Sequence, residues 1–307
     1  MFDEGSYHNL LIYTADDVEL AHPLINEGRM TQVSNGTSGK LTLEGSYPFY
    51  CPRAFTAESV SYRRSFAQTT GSGDAAGWET IVLPFDVQSF SHVSKGEVAP
   101  FGVKAKHNFW LAELTDKGFS ATTTLRANVP YIIAMPNNTE YGSNSLSGAI
   151  TFSATHATIQ PTDELTQSAG KNITLIPTYE SVAPSADIYV LNVGNKFEVY
   201  KPGSVFVPNK YTASPFSAYV VPSEAHKAAP LFRIQEEEHI ADVAYTFSVK
   251  SQNGVVYITL PEAKVITVYD MTGRKVCSVA CEMGVNEITG LSEGIYLIEN
   301  MKIFVKH

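Results

Sequence analysis

Cysteine is scarce: Cys51, Cys277 and Cys281 are the only three in 307 residues, and an odd number cannot all pair within one chain. An extended stretch from Cys277 to Cys281 would hold the two Cα atoms about 13 Å apart, whereas a disulfide needs less than about 7 Å. Buried free thiols are therefore expected rather than a disulfide-stapled fold. Long apolar runs are missing too. No stretch approaches the ~18 apolar residues of a membrane span, so the chain is read as not membrane-spanning. Asp3 and Glu4 stand where a signal peptide would carry positive charge, so no signal peptide is expected in this sequence. Basic residues are outnumbered, 22 Lys+Arg against 31 Asp+Glu, and no basic footprint for nucleic acid or anionic lipid exists. Sustained helical periodicity is absent as well, which disfavours a wound α/β fold.

What remains is strand material. Hydrophobic residues make up 44% and charged residues 17%, enough apolar surface for a core and too little charge for disorder. Sixteen Tyr and sixteen Phe suit aromatic pairing across strands. The stretch Gly77 to Val87 contains a β-branched and apolar run, Thr80 to Leu83, stopped by Pro84; it reads as a central strand covered on both faces. Further strands are expected at Leu10–Tyr13, Lys40–Glu44, Ser59–Phe66, Phe109–Leu114, Pro130–Met135, Ala149–Phe152, Ile173–Ile176 and Pro215–Val221. Ser34 to Gly39 is a turn cluster.

The acidic run Glu236-Glu237-Glu238 breaks this pattern and suits a solvated linker over residues 236–243. From residue 244 onward six basic residues face six acidic ones, leaving 16 against 25 before it, so the large part is acidic and the tail neutral. The fold class is accordingly all-β. One or more antiparallel β-sandwich domains span residues 1–235, with 1–58 a candidate separate N-terminal β subdomain. A small seven-stranded Ig-like β-sandwich module spans 244–307.

Three segments of that tail carry a resemblance: Val268 to Val276 around Thr272-Gly273, Leu291 to Ile298 with Gly294-Ile295-Tyr296, and the closing strand Lys302 to Lys306. Together they resemble the C-terminal β-sandwich of Bacteroidetes-type surface and secreted proteins, related to the sorting domains of type IX secretion. The Pro-Asn-Pro often found at the start of that module is absent around Tyr245 to Gly254. Phe49 to Ala57, Ser61 to Phe66, Gly77 to Thr80, Leu83 to Asp86 and Pro215 to Val220 are similar to poorly characterised, adhesin-like surface proteins of the same group. The resemblance implies an extracellular or cell-surface location, and a host or matrix protein or a glycan as partner. It brings no catalytic residue with it.

The residues themselves assemble no chemistry. The eight histidines are scattered without metal-ligand spacing, so no metal and no cofactor are expected. Ser34 to Lys40 lacks the second glycine spacing and the Ser/Thr of a phosphate loop. Gly-x-Ser-x-Gly does not occur. Asp86 reads as a turn residue bonding its own backbone. Trp78 reads as core, while Trp110, beside His107 and Asn108, is the weak candidate for an exposed stacking ring. The leading expectation is a non-enzymatic adhesion or interaction module. A carbohydrate-binding β-sandwich is the alternative, and a hydrolase with an unrecognised site the second alternative.

Overall fold

Alternating and doubly apolar segments become strands throughout the chain, as a computed structural model shows. It describes residues 7–15, 18–68, 70, 76–193, 200–227, 229–234, 247–260, 263–281, 284–299 and 301–307. The chain divides into two compact units, Met1–Asp242 and Val243–His307. The acidic linker expected at 236–243 lies outside the described residues. No helix among the described residues is long and apolar enough to cross a membrane.

The first unit opens with β1 (Leu10–Thr14), the one-turn helix α1 (Pro23–Asn26), β2 (Met30–Ser34), β3 (Thr37–Glu44), β4 (Phe55–Ser65) and β5 (Glu79–Ile81). Next come β6 (Ser89–His92), β7 (Gly96–Pro100), β8 (Asn108–Thr115), β9 (Gly118–Ala121), β10 (Tyr131–Ala134) and β11 (Ala149–Ile159). The remaining strands are β12 (Ser168–Ala169), β13 (Ile173–Thr178), β14 (Tyr189–Leu191), β15 (Val205–Pro208), β16 (Ser217–Pro222) and β17 (Phe232–Arg233). One large sheet runs β1-β2-β3-β4-β11-β6-β7-β8-β10-β5, with β9 on β8, and a second runs β12-β13-β16-β14-β15-β17. Residues 10–44 thus share a sheet with the rest of the unit. Most neighbours are antiparallel, but β1/β2, β3/β4 and β7/β8 are parallel.

Two cores lie on either side of β8 and β10. Phe109 and Leu111, with Tyr131 and Ile133, join an aromatic core containing Phe49, Tyr62, Phe90, Phe152 and Phe216. Their alternates Ala112, Leu114, Ile132 and Ala134 pack against Leu175, Tyr189, Phe206 and Phe232 of the second sheet. This pair of strands is the shared wall of the unit, and β10 is buried at every position, as a strand covered on both faces must be.

The stretch expected to be central occupies a different place. β5 is the last strand on the path and pairs only with β10. Ile81, Val82, Leu83 and Phe85 are nevertheless fully buried. The free edge of this segment meets the second sheet, where the Val82 N–H donates to the Phe216 carbonyl (3.2 Å) and the Ala218 N–H donates to Thr80 Oγ1 (3.0 Å). Apolarity on both faces reported cover, and the cover comes from another sheet rather than from two flanking strands.

The second unit contains β18 (Ser248–Gln252), β19 (Val255–Leu260), β20 (Lys264–Asp270), β21 (Lys275–Cys281), β22 (Gly284–Ile288), β23 (Gly294–Ile298) and β24 (Met301–Val305). They form a three-stranded sheet, β18-β19-β22, and a four-stranded one, β21-β20-β23-β24. Val256, Ile258 and Ile288 of one sheet and Ile266, Val268, Ile298 and Val305 of the other share a core. The seven-stranded β-sandwich expected at 244–307 is the fold of this unit. Cys277 and Cys281 lie on the core side of β21, and all three cysteines are free thiols.

Candidate functional site

The ring singled out by sequence, Trp110, is half-buried on β8, opposite Ala134 of β10. Its side chain shares the face of Ala112 and Leu114 and packs against the edge of the second core. Two further rings surround it. Phe101, 47% exposed, lies 5.1 Å away centroid to centroid, and Tyr141 meets it edge-on at 5.9 Å. Offset and edge-on ring pairs at such distances are favourable beyond their buried area. The result is an aromatic patch open to solvent at Phe101.

Each flanking ring is carried by a pinned loop. The Asn108 amide donates to the carbonyls of Ala99 (3.1 Å), Pro100 (3.1 Å) and Val103 (2.9 Å), and the Phe101 N–H donates to Phe109 (2.8 Å). Tyr141 stands in a 3-10 segment, Thr139–Asn144, capped by Asn138. Asn137 accepts from the Thr70 N–H (3.2 Å) and donates to Phe66 and Gln68, while Asn138 donates to Thr70. Asn108 is therefore committed to backbone carbonyls and does not stand ready beside the ring. Nothing in the local sequence marks Phe101 or Tyr141 as neighbours of Trp110. The only signal is an aromatic in the Pro100-Phe101-Gly102 turn, since both positions depend on contacts made by asparagines.

His107 is covered but shallow, 5% exposed, with no hydrogen-bond partner for Nδ1 among the described residues. Burial, reinforced by Lys106, Lys95 and His92, pushes its pKa below the usual histidine range. Trp78 is core, as expected, its N–H donating to the Gly203 carbonyl (3.1 Å). Asp86 departs from its expected role: Oδ1 accepts from the Ala127 N–H at 2.7 Å, tying the end of this segment to a distant loop instead of its own turn. The most buried ion pair among the described residues, Arg64–Glu79 at 2.5 Å, is also structural. Arg64 donates to the Thr80 carbonyl (2.9 Å), and Glu79 accepts from the N–H groups of Ala67 (2.7 Å) and Gln68 (3.1 Å). Among the described residues no three His, Cys, Asp or Glu side chains converge to hold a metal.

The fold thus defines a two-unit, all-β chain with an aromatic surface patch. Comparison with protein-family models, with curated proteins and with solved structures finds no match.

Proposed function

We propose that this chain is a non-enzymatic extracellular module that acts in adhesion or interaction at the cell surface, with the Phe101–Trp110–Tyr141 patch as its contact face. The observation that carries this reading is the patch itself: three rings at 5.1 and 5.9 Å, held on β8 and two pinned loops. Rigid aromatic side chains give large contact area at low entropic cost and anchor binding surfaces. The likeness of residues 268–306 to type IX-linked modules supports the location.

The partner is a host or matrix protein, or a glycan stacked on a ring face; the second reading is favoured by the exposure of Phe101. Binding to immobilised matrix proteins and to a glycan array tests both. Trp110→Ala is expected to weaken capture about tenfold or more, the scale of losing about 1.4 kcal/mol or more at a hot spot. Equal binding by wild type and variant removes the patch from the reading. Turnover of generic ester, peptide or glycoside substrates that survives purification and is lost on substitution would replace it with a hydrolase.

A further inference from the structure

One sheet face of the second unit is apolar and open to solvent. In its four-stranded sheet, β20 reads Lys-Val-Ile-Thr-Val-Tyr-Asp and β23 Gly-Ile-Tyr-Leu-Ile, apolar toward both sides in the manner of β10. A sheet with one face in water normally alternates apolar and polar side chains. The inward set, Ile266, Val268, Tyr296, Ile298 and Val305, fills the core. The outward set does not turn polar. Val265, Tyr269, Ile295 and Phe304 are exposed, Phe304 at 54%, and Leu297 is half-buried. Strand register makes these side chains neighbours, with Tyr269 opposite Leu297 and Ile295 opposite Phe304. Contiguous apolar surface of this kind marks a contact site.

Two lysines bracket the face. The pairing of β20 with β21 shifts register between Val268 and Tyr269, so that Val268 stands opposite Cys277 but Tyr269 opposite Lys275. Val276 is the extra residue of this bulge. Without it Lys275 would pair with Asp270, on the side of Ile266 and Val268; the bulge turns it outward. One row then crosses all four strands on the outer side, Lys275–Tyr269–Leu297–Lys302. Three strand-to-strand steps place the backbones of the two lysines about 14 Å apart. Neither lysine has an ion-pair partner among the described residues. Asp270, the only carboxylate on these strands, is taken by Arg274 (3.0 Å), and Lys264 by Glu299 (3.1 Å). The outer face of the three-stranded sheet differs: its corresponding row, Lys250–Tyr257–Glu287, carries both signs of charge.

This chemistry narrows the occupant. Two positive ends around an apolar middle are complementary to carboxylates around apolar side chains. A second copy would bring the same two cations and gain no charge partner. A bilayer takes rings below its headgroups, whereas these lysines stand in the same row as Tyr269 and Leu297.

We infer that the outer face of β20, β21, β23 and β24 docks an acidic protein segment whose apolar side chains sit between carboxylates, a contact separate from the Phe101–Trp110–Tyr141 patch. The test uses the full chain and short fluorescein-labelled peptides read by anisotropy. One has a Leu-Phe-Ile core flanked by Glu, one the same core flanked by Lys, and one Glu flanks around Ser and Gly. Phosphatidylserine–phosphatidylcholine vesicles and sedimentation of the chain alone are run alongside. The variants are Lys275→Glu with Lys302→Glu, Phe304→Ser, Lys250→Glu on the other sheet, and Trp110→Ala. Each is checked for an unchanged melting temperature, the three lysines and Phe304 being exposed. The Glu-flanked apolar peptide should bind best. Its affinity should fall about tenfold or more in the lysine pair and in Phe304→Ser, and less than about twofold in Lys250→Glu. No binding of that peptide, equal binding of either other peptide, or an unchanged affinity in the lysine pair would each overturn the assignment. Loss in Trp110→Ala alone would move the peptide to the aromatic patch. Vesicle capture or a concentration-dependent dimer, lost in Phe304→Ser, would replace the acidic segment with a lipid surface or a second copy.

Discussion

Trp78 and His107 show how single side chains divide between packing and surface chemistry. Trp78 fills the second core and lies against the backbone of Gly203, whose φ is +65°. Truncating a buried aromatic leaves a cavity, so Trp78→Ala is expected to cost about 3–5 kcal/mol in chemical denaturation. A Cβ at Gly203 would overlap the Trp78 backbone nitrogen and oxygen and would need a left-handed φ. Gly203→Ala should therefore destabilise by more than about 1 kcal/mol, the scale at which the usual entropic gain from alanine is outweighed. His107 responds to pH instead. Its folded pKa lies below the ordinary 6.5 because burial, then Lys106, Lys95 and His92, oppose its charged form. The unfolded chain thus binds the proton more readily, and stability is fully present above about pH 6.5 and falls as pH drops toward the folded value. Melting temperatures at pH 7.5 and 5 should converge in His107→Leu relative to wild type; an unchanged gap would place the pH response elsewhere.

At the scale of elements, the hairpin between β20 and β21 makes the same argument with the opposite group. Asp270 Oδ1 accepts from the Thr272 N–H (2.9 Å), the Thr272 hydroxyl (2.6 Å) and the Arg274 N–H (3.1 Å), and Oδ2 accepts from Arg274 Nε (3.0 Å). The Thr272 hydroxyl leads these bonds in pulling the carboxyl from 3.8 down to about 2. Its stabilisation is present above pH 3.8 and lost as pH falls through about 2. Asp270→Asn should remove that part of the acid transition, read as near-ultraviolet dichroism between those limits. This turn was legible in Asp270 to Gly273, because Asx chemistry and a positive-φ glycine are local. β10 was legible for the same reason: a continuous apolar run is a strand buried on both faces wherever it lies. Strand order was not legible. Thr80 to Leu83 carries the same signature as β10, yet it sits at the end of the path because Phe216 and Ala218, more than 130 residues on, cover it. The break in the alternation of β4, where Glu58 and Ser59 are both exposed between buried Ala57 and Val60, was hidden as well, since Ala57 and Ser59 are small enough to read on either face. Trp110 was singled out because it closely follows His107 and Asn108; its ring partners arrive on loops fixed by Asn108, Asn137 and Asn138.

For the whole molecule, the division at Asp242 and Val243 separates two cores with different charge. The first unit holds the aromatic patch, assembled within it from β8 and the loops that carry Phe101 and Tyr141. The second closes its own sandwich from seven strands and buries Ile258, Val268 and Ile298 completely. With a hydrophobic core inside each unit, independent cooperative unfolding of the two is the expectation. Residues 1–235 and 244–307 expressed separately should each give a sigmoidal denaturation curve, and the full chain should give their superposition. The isolated first piece is expected to keep the binding behaviour of the patch, with the same Trp110→Ala effect. Aggregation of either piece, or one shared transition in the full chain with none in the fragments, would mean that stability is held jointly. The neutral tail would then be a structural part of the acidic unit rather than a module attached to it.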